Sequence, residues 1–207
     1  MRHPIAMALG LLCALGLGAA RADTIDAATH EHAVRIAVGT CGSCHGATGV
    51  SQQPKYPRLA GQNANYLAAQ LKAFRSQTRG DADAIGYMWG MSAALEDDTI
   101  EALAQYYAAQ KPGAGHAGEA SLVDRGRQIY EKGVEAVGVP ACAACHGPDA
   151  RGMGDFPRLA GQHAQYVLKQ LGSFQSNMRN VAVMHGVAQG LKLEEMRAVA
   201  AYLEAQH

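Results

Sequence analysis

The chain has 207 residues but only one tryptophan and three phenylalanines. So little aromatic bulk gives a thin core unless something else fills it. Runs of alternating β-branched residues are also missing, which excludes a sheet-based fold. Charge is sparse and balanced, with 18 basic and 18 acidic side chains. That excludes the strongly basic surface that nucleic-acid binding needs. Apart from the first two dozen residues, no apolar run approaches the roughly 20 residues of a membrane span.

The N-terminal run reads as an export signal covering residues 1–22. Arg2 supplies the positive start, Ile5 to Ala20 the apolar stretch, and Ala20-Arg21-Ala22 small residues before a cut ahead of Asp23. Cys13 lies inside it, preceded by Leu12 rather than the small residue of a lipoprotein signal. Removing the segment takes Arg2 and Arg21 away and leaves a mature charge of about −2. It also predicts a periplasmic location.

The four remaining cysteines fall into two strings of one pattern. They are Cys41-Gly42-Ser43-Cys44-His45 and Cys142-Ala143-Ala144-Cys145-His146. Cys-x-x-Cys-His is the attachment pattern of c-type haem. Two thiols three positions apart reach the two vinyl groups of one porphyrin, and the adjacent histidine lies under the ring with an imidazole nitrogen for the iron. Zinc ribbons place their Cys pairs about 15–20 residues apart, whereas these lie about a hundred apart, each with its own histidine. A thioredoxin-like pair needs a strand–helix context that is absent here. With all four thiols used by haem, none is left for a disulfide. The reading is two covalently bound haem c groups, held by Cys41, Cys44, Cys142 and Cys145.

The chain repeats itself around these strings. Pro57-Arg58-Leu59-Ala60-Gly61-Gln62 recurs as Pro157-Arg158-Leu159-Ala160-Gly161-Gln162. Tyr66, Gln70, Leu71, Phe74 and Arg79 recur as Tyr166, Gln170, Leu171, Phe174 and Arg179. The joint falls in Gly- and Ala-rich residues 112–120, between a domain at 23–111 and a second at 121–207. A domain of about 90 residues is marginal alone, and a large flat haem would supply its missing core. The fold class is all-α. Apolar spacing predicts helices over 29–38, 63–76, 97–109, 122–132, 163–176 and 193–205.

The sixth iron ligand decides between electron transfer and chemistry at the metal. The second half offers Met153, Met178, Met184 and Met196; the first offers Met88 and Met91. Aligning the halves pairs Met88 with Met184, while Met91 falls opposite Val187, Met178 opposite Thr78 and Met196 opposite Ile100. Met88 and Met184 are the only sulfur pair placed alike. The axial ligands are therefore read as His45 with Met88 and His146 with Met184, with Met91 as the rival for the first iron. His185 sits beside Met184 but is matched by Trp89. His30, His32, His116 and His207 read as solvated surface groups. Pro57 and Pro157 are candidates to hold a carbonyl at the proximal imidazole. Arg58, Arg158, Arg79 and Arg179 are candidates for haem propionates.

With its export signal, two Cys-x-x-Cys-His domains, repeated Pro-Arg-Leu-Ala-Gly-Gln turn and Met-x-Gly segments, the whole mature chain resembles the c4-type dihaem cytochromes. The resemblance implies two tandem class I cytochrome c domains packed with pseudo-twofold symmetry, and His/Met ligation at both haems. It implies an electron carrier rather than an enzyme. Its partners would be redox proteins, a quinol-oxidising complex or other donor and a terminal oxidase or other acceptor, with peripheral membrane association in some members. Two alternatives stay open: the cytochrome subunit of a flavoprotein sulfide dehydrogenase-type complex, and a dihaem peroxidase. The first would show an extensive flat apolar surface, the second one haem without a strong sixth ligand.

Overall fold

The computed structural model describes residues 25–207, so the expected export signal at 1–22 lies outside the described residues. In the first half, α1 (Ala27–Ile36) starts at Asp26, whose carboxylate accepts the Thr29 backbone N–H at 2.8 Å. It runs on through a π-helical turn, Ala37–Cys41, into the single turn α2, Gly42–His45. Next come α3 (Ala64–Arg75), a second π-helical turn at Ala84–Met88, the short α4 (Trp89–Ser92), and α5 (Asp97–Ala108). The second half repeats the order with α6 (Ala120–Lys132), α7 (Ala143–His146), α8 (Ala164–Gln175), α9 (Ala182–Gln189) and α10 (Leu193–Ala205). Among the described residues the only β pairing is one isolated bridge, Val134 with Val139.

Each half buries its own small core. In the first, Ala33 and Ala37 from α1 and the turn after it meet Ile100, Leu103, Ala104 and Tyr107 of α5, closed by Leu67 and Ala68 of α3. In the second, Ile129 and Tyr130 of α6 meet Val199, Tyr202 and Leu203 of α10, with Val167 and Leu171 of α8. The first and last helices of each half thus cross tightly. At Gly126 the approach is so close that a Cβ would lie 2.0 Å from the Ala198 carbonyl oxygen. Acidic side chains open α5 (Asp97, Asp98) and α10 (Glu194, Glu195), where they complement the helix dipole.

The joint between the halves differs from a free linker. No helix forms from Ala109 to Glu119, yet the stretch is pinned on both sides. Arg58 donates to the Ala114 carbonyl at 2.8 Å, and the His116 N–H donates to the Glu204 carbonyl at 3.0 Å. A Cβ on Gly115 would sit 2.4 Å from the Gln206 carbonyl oxygen. Small residues are needed here for close packing as much as for flexibility.

The halves meet through polar contacts that come in mirrored pairs. The Gln62 amide bonds the backbone of Arg158, and the Gln162 amide bonds the backbone of Arg58. Arg79 reaches Gln170 (2.8 Å) and Tyr166 (3.3 Å), while Arg179 reaches Gln70 (2.8 Å) and Tyr66 (2.7 Å). One patch used twice, each residue opposite its counterpart's neighbours, is the signature of a pseudo-twofold axis. One member breaks the symmetry: Asp81, fully buried against Arg79, has Val181 at the matched place.

Candidate haem sites

α2 and α7 are single turns that end on His45 and His146. Helical geometry puts cysteines three positions apart on one face. All four thiols are half-buried and unpaired. Burial pushes the Cys142 thiol up to about 11, and the Cys41 thiol also rises, chiefly by burial. A reactive redox pair would instead need a lowered thiol pKa.

The histidines are held alike. Nδ1 of His45 lies 2.8 Å from the Pro57 carbonyl oxygen, and Nδ1 of His146 lies 3.1 Å from that of Pro157. A carbonyl can only accept, so Nδ1 carries the proton and Nε2 keeps its lone pair. Both side chains are buried, and burial pushes both imidazoles down from their ordinary range against the pull of the proline carbonyl. They are thus neutral at neutral pH, as an iron ligand must be. The turn after each histidine needs glycine: Gly46 and Gly147 have φ of 78° and 80°. An aromatic edge stands beside each imidazole, Tyr56 at 6.2 Å and Phe156 at 5.9 Å between ring centres.

The methionines sort by burial. Met91, Met153 and Met178 are exposed, and Met196 is sealed in the second core. Met88, at the end of the second π-helical turn, and Met184, in α9, are half-buried, with Met184 packed against the second core. His185 is occupied: Nδ1 meets the Phe174 carbonyl at 2.7 Å and Nε2 meets Gln189 at 3.0 Å. Its counterpart Trp89 likewise donates to a backbone carbonyl, that of Arg79, at 2.8 Å. The two side chains brace matched segments.

The arginines are less free than expected. Arg58, Arg79 and Arg179 are buried and bonded across the interface; Arg158 contributes its backbone to Gln62. Nε of Arg58 and Nε of Arg179 remain buried without a partner. Each is a donor suited to a propionate carboxylate, so the residues present fit haem at its polar edge as well as at its iron. His116 is exposed but lies 2.7 Å from Arg58, and the His207 ring accepts the Gly115 N–H at 3.2 Å, so both are partnered. Sequence reasoning missed His163, which is buried at the interface with Nε2 at 3.0 Å from the Ser51 carbonyl oxygen. Its counterpart is Asn63, a capping residue, so the repeat gave no signal for it.

Two helical halves, each ending its Cys-x-x-Cys-His string on a neutral, carbonyl-anchored imidazole, define a protein with two covalently attached haem c groups. The cytochrome c family model matches twice, over residues 32–109 and 123–206. Cytochrome c4 of Azotobacter vinelandii is 35% identical over 208 aligned residues, covering 95% of this chain and 97% of that one. The cytochrome c4 structure from Acidithiobacillus ferrooxidans superposes with a TM-score of 0.76 at 42% identity, covering 80% of this chain and 98% of its own. A protein of Thiomonas intermedia named thiosulfate dehydrogenase electron acceptor is 37% identical, covering 81% of this chain and 78% of that one. The chain belongs to the cytochrome c family, as a c4-type dihaem electron carrier.

Proposed function

We propose that the chain carries single electrons between respiratory redox proteins of the periplasm, from a quinol-oxidising complex or other donor toward a terminal oxidase or other acceptor. It makes and breaks no substrate bond. His45 with Met88 and His146 with Met184 are the axial ligands, and the four motif cysteines are the thioether anchors. Haem bound there supplies one-electron exchange, at a potential that a methionine ligand raises. The chain's own part is to hold Nε2 unprotonated, fix the ring through the proline carbonyl, and exclude water. The reading is carried by the repetition of one arrangement in both halves: a buried carbonyl-anchored histidine and one half-buried methionine at matched positions. A peroxidase would need one of these halves left open.

The test is the far-red sulfur-to-ferric-iron absorption. Met88→Ala and Met184→Ala should each remove half of it, and Met91→Ala should leave it whole. Loss of half in Met91→Ala would move the first ligand to Met91. Turnover of hydrogen peroxide by the unmodified protein would overturn the carrier reading.

A second reading concerns the donor and is favoured by the Thiomonas relative's name. Here the electrons come from a thiosulfate-oxidising enzyme. The ferric protein should then be reduced faster by thiosulfate with a thiosulfate dehydrogenase than by a quinol-oxidising complex.

A further inference from the structure

The peptide bond between Pro57 and Arg58 is held at both ends. Its carbonyl oxygen takes the Nδ1–H of His45 at 2.8 Å. Its N–H, on Arg58, donates to Oε1 of Gln162 in the other half at 2.9 Å. The mirror peptide, Pro157 to Arg158, takes His146 at 3.1 Å and donates to Oε1 of Gln62 at 2.7 Å. Each glutamine also returns its Nε2–H to the next carbonyl, Gln162 to Arg58 at 2.9 Å and Gln62 to Arg158 at 2.8 Å. The amide orientation is therefore set by its partners, since an N–H must face a carbonyl. Both glutamines are buried, so water does not compete for these bonds.

From this geometry we infer that each proximal histidine is tuned by the glutamine of the opposite half, Gln162 acting on His45 and Gln62 on His146. A hydrogen bond to an amide N–H shifts electron density toward its carbonyl oxygen, and bonds in such a chain strengthen one another. A stronger carbonyl acceptor draws the Nδ1 proton further and makes the imidazole a more basic ligand. A more electron-rich ligand favours ferric iron and lowers the potential. The glutamines are positioning residues acting through one shared peptide. The two redox centres are thereby coupled through the interface. The inference rests on the ligand assignment proposed above.

The test uses the full chain with both haems in place. Gln162→Met keeps the bulk of the side chain and removes both hydrogen bonds to the Arg58 backbone, together with the one Oε1 accepts from the His163 N–H. In the ferrous protein the His45 Nδ1–H proton resonance should move upfield, and the potential of the N-terminal haem should rise. His146 and the C-terminal haem should hold, and Gln62→Met should give the reverse pattern. A glutamine serving only as glue predicts otherwise. A shift confined to the substituted half, an equal shift at both haems, or no shift overturns the inference. Gln162→Asn, too short to reach the peptide but still polar, gives the same readout if the methionine variant does not fold. The unmodified ferrous protein separates the two layers. If the ring protons of His45 and His146 lack the strong upfield displacement of an axial imidazole, the ligand assignment fails and takes the inference with it. If they show it and the crossed shift is absent, only the inference fails.

Discussion

Gly126→Ala should melt the C-terminal half about 8–16 °C earlier, while Gly172→Ala, the same substitution one helix pair away, should raise the melting temperature. The added Cβ at 126 meets the Ala198 carbonyl oxygen at 2.0 Å, the carbonyl carbon at 2.6 Å and Tyr202 Cβ at 2.7 Å. Two of the three are backbone atoms, so no rotamer change relieves the clash and α6 must lift from α10. Overpacking of this kind costs about 3 kcal/mol at the upper end of its usual range. Alanine's better helix propensity returns about 1 kcal/mol. The net loss of about 2 kcal/mol becomes the stated shift at about 4–8 °C per kcal/mol for a domain this small. At Gly172 a Cβ meets nothing within 4 Å, so only the propensity gain of up to about 1 kcal/mol remains. Thermal unfolding of the holoprotein by circular dichroism, with the haem bands followed in parallel, checks both. A melting temperature for Gly126→Ala equal to the unmodified protein's would mean that the helices do not cross at this position.

The long helices were legible in the sequence because their apolar residues recur with helical spacing. Ranges expected at 63–76, 97–109 and 193–205 appear as Ala64–Arg75, Asp97–Ala108 and Leu193–Ala205. The helices that carry Met88 and Met184 were not legible. Gly86, Gly90 and Gly186 dilute the pattern there, and the segments are held by Trp89 and His185 bonding to distant carbonyls rather than by a periodic apolar face. The two π-helical turns have no residue signature either.

The interface residues were present in the sequence, but no single half marks them as facing another domain. Gln62, Gln70, Arg58 and Arg79 recur in both halves; the arginines read as propionate candidates, while the glutamines carry no role that one half alone reveals. Their burial follows from the pairing of halves, which gives most of their polar atoms partners across the interface. The usable signal was the repeat itself. Polar side chains kept at equivalent places in two copies are what an interface about a pseudo-twofold axis requires, because each copy presents the same patch to the other. His163 and Asp81 escape even that rule, since Asn63 and Val181 stand at their matched positions.

Arg79→Met should cost about 3 kcal/mol at neutral pH, and the loss should shrink on acidification. Arg79 is buried and binds Asp81 through Nε at 2.7 Å, Gln70 at 2.8 Å and Gln170 at 2.8 Å. Removing the guanidinium leaves a carboxylate without its ion partner at a site that is 1% exposed. Breaking a buried pair on one side costs about 3–5 kcal/mol, and Arg179 in the same cluster keeps the loss near the lower end. The pH dependence has a definite sign. In the unmodified protein burial pushes the Asp81 carboxyl up, but the charge and hydrogen bonds of Arg79, with help from Gln170 and Arg179, outweigh it and hold the carboxyl below its ordinary value. That pair therefore stabilises the fold fully above the unfolded-state pKa of about 3.9 and loses its contribution as pH falls through the lower folded value. Without Arg79 the burial effect is opposed only by the weaker partners, so the folded pKa rises. Protonation during acidification then relieves the variant while it penalises the unmodified protein, and the two stabilities converge. Asp81→Asn in the Arg79→Met background removes the stranded charge and should recover part of the loss at neutral pH. Urea unfolding of the three holoproteins at pH 7 and at about pH 3.5, below the unfolded-state carboxyl value, measures this. An Arg79→Met loss that is the same at both values, and that Asp81→Asn does not reduce, would show that the buried Arg79–Asp81 charge pair does not stabilise the fold.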